Sequence, residues 1–404
     1  MTTDVPAWER SDYRAAVADA LQRCGVTRLV LAIHDASFPA GDDDVGRGTP
    51  YSAAGRDFLR FARQLGFTDV QFGPQGWISR ANPSPYDAMI FSRNPLAIAL
   101  GPLWTESAGD WRTVVGAVPA ESARLCDHAG AWDRHAAALT ALLAARGHEW
   151  AGAVAEFARD AGDWLARDAR TGDVTPARHR AEQWLAHRQH AELRQFARAI
   201  GLGLFGDLQV GVSHRDRLAL ASLFLDGYRM GAPPSRTNPD GQPWGYPLLD
   251  PAQYDGAAGA LFAARVDKAL AEYDGLRVDH PHGLVDPWVY RAEAPNALAA
   301  VQAGARLFSS PDLPDHPELQ RWAIATPAQL DRSRARHADE WVHALDTAQV
   351  SRYGALFERL FATARARNAE LVCEVLSTWP YPLRRVMERD NLGRMVVTDR
   401  KSVV

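Results

Sequence analysis

Two carboxylates in this chain stand where parallel β/α proteins keep their chemistry, at the ends of short apolar runs. Asp279 closes Leu-Arg-Val-Asp-His (Leu276 to His280), and Glu374 closes Leu-Val-Cys-Glu-Val-Leu (Leu371 to Leu376). Side chains two apart on a strand share a face, so Arg277 points the same way as Asp279 and can pair with it. Retaining glycosidic chemistry needs such a pair close together. One carboxylate attacks the anomeric carbon and the other protonates the departing oxygen. A general acid must hold its proton near neutral pH, and Val372, Val375 and Leu376 are apolar neighbours that favour an uncharged group. Taken singly, each residue has a plainer reading: a strand-end Asp caps the next helix, and a strand-end Glu makes a salt bridge.

Other reactive side chains carry less. Cys373 alternates to the face opposite Glu374 and is expected in the core. His280 and His282 flank Pro281 without a third ligand at zinc spacing, so no metal is assigned. His179, His187 and His190 are interspersed with Arg178, Arg180 and Arg188 and read as a solvated basic face. The group Trp77, Tyr86 and Phe91 reads equally as sugar stacking or as plain packing.

The elements that must position the carboxylates are legible as recurring branched apolar runs that end in polar residues. These are Arg28 to Asp35, Thr68 to Pro74, Leu202 to Val212, Gly275 to His280, Glu370 to Val375 and Arg394 to Val397. Each is too short for a helix and reads as a buried parallel strand. Helical periodicity precedes most of them, as with Phe262, Val266, Ala269, Leu270 and Tyr273 before the fourth. Alternation of this kind means βα units around a parallel sheet, and polar strand ends favour a barrel. Residues 99–173 are an Ala-rich helical insertion, and 293–346 form a second insertion with the turn-rich Ser-Ser-Pro-Asp-Leu-Pro-Asp-His-Pro. The whole of 1–404 is expected to be one catalytic barrel domain.

Composition narrows the partners. With 45 basic against 49 acidic residues the formal net charge is −4, which gives no reason to expect nucleic acid or an anionic membrane. No apolar run approaches a membrane span, and the first residues lack the pattern of a signal peptide. The 3 cysteines are widely spaced, so neither a disulfide framework nor a metal knuckle is suggested and a reducing cytoplasm fits best.

Longer motifs resemble the amylomaltase-type 4-α-glucanotransferases, glycoside hydrolase family 77. GLRVDHPHGLVDPW (Gly275 to Trp288) is similar to that family's Arg-x-Asp-His-x-x-Gly motif. GAPPSRTNPDGQPWGYPLLD (Gly231 to Asp250) is similar to the loop it folds over its active site. FGDLQVGV (Phe205 to Val212) and SPYDAMIFSRNPLAI (Ser84 to Ile98) resemble two further segments. Order and approximate spacing agree from about His34 to Arg394.

The resemblance implies a divergent member on a (β/α)8 TIM-type barrel with helical insertions, working without a cofactor on maltodextrin or another α-1,4-glucan. It makes Asp279 the nucleophile and Glu374 the general acid/base. It makes Arg277, His280, Tyr86, Asp207, Trp244 and Arg236 substrate contacts. A hydrolase of the same mechanism, or a catalytically silent carbohydrate-binding relative, are the alternatives. The departures are specific. Glu374 is followed by Val375, Leu376 and Ser377 where the family has Asp-Leu-Gly. Ser235, Arg236 and Thr237 replace an aromatic pair in the covering loop, and Gln209 stands for a proline. The family's third carboxylate, in a His-Asp-Asn type motif, has no counterpart before Val404, and Asp399 lies too early to serve. The expectation is therefore a barrel whose C-terminal units are missing.

Overall fold

The five apolar runs before residue 376 each form a parallel strand, but not all are buried as expected: Asp69–Phe72 and Gly275–Val278 are buried throughout, Val30–Ile33 has no buried residue and Glu370–Cys373 buries only Cys373. The computed structural model describes residues 13–104, 109–116, 118, 126–171, 173–236, 238–376 and 378–392. The run Arg394 to Val397 lies outside the described residues, as do Thr237, Ser377 and Asp399. The chain folds as two compact units, Met1–Asp207 with Ala271–Asp274, and Leu208–Leu270 with Gly275–Val404.

In the first unit β1 (Val30–Ile33), β2 (Asp69–Phe72) and β3 (Gly203–Leu208) pair side by side in parallel, with Val30 opposite Asp69 and Asp69 opposite Gly203. All of β2 is buried, including Asp69, which accepts from Arg28 at 2.6 Å. Helix Ala53–Gln64 starts where the Ser52 side chain accepts from the Gly55 amide at 2.9 Å, and it buries Leu59 and Ala62. Between β2 and β3 in the chain come helices Trp111–Val115, His128–Arg146, Ala151–Asp160, Asp163–Ala169 and Pro176–Ala199. All of these but Asp163–Ala169 share a core that includes Ile98, Leu100, Leu139, Leu142 and Leu185.

Helix Pro176–Ala199 corrects one expectation. His179 and His190 are buried, not solvated. His179 stacks on Trp77 with ring centroids 5.0 Å apart, and His190 receives a bond from the buried Arg93. The helix has a polar buried face because it satisfies irregular backbone. The Gln183 amide bonds both the N–H and the C=O of Arg93, at 2.7 and 2.8 Å, and Gln189 does the same for Ala99. Trp77 and Phe91 are core residues, which settles that part of the aromatic group as packing.

In the second unit β4 (Tyr228–Ala232), β5 (Gln242–Tyr246), β7 (Trp288–Arg291) and β8 (Ala305–Arg306) make an antiparallel 4-stranded sheet in the order β5-β4-β7-β8. β6 (Gly275–Val278) pairs in parallel with β9 (Glu370–Cys373). The stretch 231–246, expected as a loop without secondary structure, is thus largely a hairpin. Helices Thr347–Tyr353 and Ala355–Ala366 precede β9 and bury Tyr353, Leu356, Phe357 and Leu360. Among the described residues no strand pairing closes a ring.

Candidate active site

Register brings the expected pair together in the second unit. Leu276 faces Leu371, Arg277 faces Val372 and Val278 faces Cys373, so Asp279 and Glu374 follow as neighbours on adjacent strands. The ladder continues at the Glu374 amide, which donates to the Val278 carbonyl at 3.0 Å. Parity puts Arg277, Asp279 and Glu374 on one face and Cys373 on the other, fully buried. Adjacent strands run about 4.8 Å apart, the spacing at which two carboxyls can flank one glycosidic bond.

The side chains meet as that geometry requires. Arg277 Nη2 is 3.1 Å from Asp279 Oδ1 and 2.5 Å from Glu374 Oε2. Because one nitrogen holds both, these two oxygens lie no further apart than those distances laid end to end, closer than the inverting spacing. Asp279 Oδ2 also accepts from the Val210 amide at 3.3 Å. Side-chain exposures of 9% for Arg277, 13% for Asp279 and 20% for Glu374 leave Glu374 the most open of the three. Val375 is buried, but Leu376, expected as an apolar neighbour of Glu374, is exposed.

His280 follows Asp279 in the left-handed backbone region, with φ +42°. Its ring meets Trp244 edge-on at 4.8 Å and stacks on His282 at 4.4 Å. Burial, with Arg306 and Arg277 adding to it, pushes the His280 pKa down to about 4, so the ring is neutral near pH 7. Trp244 is half-buried in β5, and its Nε1 donates to Gln242. Arg236 is exposed in the turn of the same hairpin, where Ser235 and Asn238 exchange backbone bonds.

Tyr86 and Asp207 belong to the first unit. Tyr86 is half-buried, edge-on to His34 at 6.2 Å, and Asp207 is half-buried in β3. Two participants had no sequence signal of their own: the Val210 amide on Asp279, and Thr378, which contacts His282. Among the described residues no group of three His, Cys, Asp or Glu side chains is placed to hold a metal ion, and no helix is long and apolar enough to cross a membrane.

Comparison with known proteins agrees with the motifs. The family model described as 4-alpha-glucanotransferase, glycoside hydrolase family 77, matches residues 117–401. A chloroplastic/amyloplastic 4-alpha-glucanotransferase of Oryza sativa subsp. japonica is 30% identical over 135 residues, 31% of this chain and 23% of that protein. The 4-alpha-glucanotransferase of Thermus thermophilus is 29% identical over 141 residues, 32% of this chain and 28% of that one. The aligned stretch thus spans roughly a quarter of these relatives' lengths. Among solved structures, the amylomaltase from Streptococcus agalactiae in complex with acarbose superposes with a TM-score of 0.67 at 17% identity, covering 92% of this chain and 73% of that one. The amylomaltase from Corynebacterium glutamicum gives 0.67 at 17% identity, covering 94% and 51%. These likenesses establish the TIM-type α/β fold.

Proposed function

The chain belongs to the 4-alpha-glucanotransferase family, glycoside hydrolase family 77, and from that premise we propose that it transfers α-1,4-glucan segments by a retaining double displacement. The observation that supports this reading best is the single Arg277 nitrogen shared by Asp279 and Glu374 at paired strand ends. In the first step a carboxylate oxygen of Asp279 attacks the anomeric carbon. The glycosidic C–O bond breaks, and Glu374 gives its proton to the departing sugar oxygen. In the second step Glu374, now a carboxylate, takes the proton of an acceptor sugar hydroxyl. That oxygen attacks the anomeric carbon and Asp279 leaves.

The remaining side chains then act on the sugar. Arg277 and the neutral His280 offer hydrogen bonds beside the reacting centre, and the Trp244 ring offers an apolar face. Arg236 meets the acceptor. Maltodextrin is the substrate class.

The test is product redistribution from maltotriose, with glucose counted apart from longer maltodextrins. Transfer yields both, and Asp279→Asn should lower both by at least about 10³-fold, the scale for removing a covalent catalyst. Glucose and maltose without longer products would make water the acceptor and the enzyme a hydrolase. Tight maltodextrin binding without turnover would replace the catalytic reading with a silent binding relative.

A further inference from the structure

His282 is the side chain of the strand-end segment that the proposed reaction leaves unused. It is 9% exposed. Its ring stacks on His280 with planes 28° apart. Its Nε2 lies 3.1 Å from the Thr378 carbonyl oxygen and 3.2 Å from the Thr378 hydroxyl. A carbonyl oxygen only accepts, so the ring carries its proton on Nε2. Nδ1 is then a bare acceptor, buried with no partner among the described residues. Burying an unmatched polar atom costs about 1–3 kcal/mol. A residue kept for packing alone avoids that cost by being apolar, so the contact Nε2 makes is the informative one.

That contact spans the two halves of the candidate site. Thr378 lies in the segment that leaves β9 just after Glu374. Asp339 holds the same segment: its Oδ2 accepts from the Trp379 amide at 2.8 Å and its carbonyl from the Tyr381 amide at 3.0 Å. At the other end His282 braces His280, whose left-handed backbone is unfavourable for a non-glycine residue. The Gly283 amide donates to the His280 carbonyl at 2.9 Å and closes that turn. Gly283 has no room for a side chain, since a Cβ there would sit 2.3 Å from Val210 Cγ2. Burial foremost, then His280, holds the His282 pKa well below the ordinary value, so the two stacked rings are both neutral.

We propose that His282 is a positioning residue for the acid, tying the segment after Asp279 to the segment after Glu374 so that the two carboxylates keep their spacing. The proposal rests on the assignment of Glu374 as general acid. It predicts a selective defect. Cleavage of a glycosidic bond needs the acid, whereas fluoride leaves an α-glycosyl fluoride without being protonated by it.

The experiment compares first-turnover cleavage of maltotriose with first-turnover fluoride release from α-maltosyl fluoride. The proteins are wild type, Asp279→Asn, Glu374→Gln, His282→Phe and His282→Gln. Phenylalanine keeps a ring in the stack and removes the N–H; glutamine keeps an N–H with the reach of Nε2. His282→Phe should lose about 10- to 100-fold on maltotriose and less than about 3-fold on the fluoride, the cost of a misplaced general acid. His282→Gln should recover most of the loss. Hydrogen exchange across residues 375–381 should quicken in the Phe variant and stay near wild type in the Gln variant. Equal losses on both donors, no loss, or identical behaviour of Phe and Gln would overturn the proposal. Fluoride release that survives Asp279→Asn, or a wild type inert to both donors, would instead sink the catalytic reading. The exchange rates then decide by themselves whether His282 holds the segment, and unchanged rates in the Phe variant would overturn it.

Discussion

Arg277 Nη2 stands 2.5 Å from Glu374 Oε2, so a sugar oxygen that approaches Oε2 competes with the guanidinium. Both oxygens of Asp279 are held, one by Arg277 and the other by the Val210 amide. In the proposed reaction Arg236 serves the acceptor step. It is exposed in the hairpin turn and offers charge and hydrogen bonds, not a ring face. Arg236→Ala should shift acceptor chain-length preference several-fold while leaving fluoride release from α-maltosyl fluoride within about 2-fold, the range of one exposed polar contact. Equal losses in the two assays would remove Arg236 from the acceptor side. The carboxylates and Arg277 were readable in sequence because strand parity alone puts residues 277 and 279 on one face. The bond from His282 to Thr378 was not. It depends on which way two loops turn after their strands, and no sequence period encodes that.

At the scale of elements, the hairpin of β4 and β5 is where composition misled. Pro233, Pro234, Pro239 and Gly241 punctuate it, and Gln-Pro-Trp-Gly-Tyr is a poor strand by propensity. It pairs nonetheless because β5 is an edge strand, where a proline forfeits no ladder bond on its open side. The register shifts between Met230 and Ala232, which re-aims the strand beside Gly231. A Cβ on Gly231 would stand 2.4 Å from the Gln242 carbonyl oxygen and 2.9 Å from Val301 Cγ2, so this glycine sets how closely the hairpin closes. Gly231→Ala should destabilise the hairpin by about 1–3 kcal/mol, the usual cost of overpacking. Because β5 carries Trp244, the expected signature is a raised KM for maltotriose with a smaller change in kcat, together with faster hydrogen exchange at 242–246. Unchanged exchange there would mean that the backbone absorbs the methyl group. The parallel strands were easier to read than the hairpin, since each lies in a short run punctuated by branched apolar residues, even though the fully buried β2 and β6 also bury Asp69, Gln71 and Arg277.

Across the whole molecule, buried histidines tie folding to pH. His135 and His190 in the first unit and His280 and His282 in the second are each held below the ordinary imidazole value, burial being the largest cause in every case. Sequence could not tell these from surface histidines, because arginines flank His179 and His190 on the same helix while only the histidines face inward. For His135 the folded value is about 4 against 6.5 unfolded. The unfolded chain therefore takes up a proton that the native state refuses, and stability falls as pH drops from 6.5 toward 4. The shift is worth up to about 3 kcal/mol at the low end of that window. Buried acids act in the opposite sense. Asp286, raised to about 6, destabilises the native state when ionised and relieves it as pH falls through 6. Total stability against pH mixes both signs, so the informative quantity is a difference between two proteins. His135 Nε2 lies 2.8 Å from the Ile98 carbonyl, and glutamine at 135 keeps an N–H donor there without titrating. Urea unfolding of wild type and His135→Gln should differ by a constant above pH 7. The difference should then move in favour of the variant as pH falls through 6 and 5, approaching about 3 kcal/mol near pH 4. A difference flat across that range would mean that His135 takes up its proton in the folded state as readily as in the unfolded one.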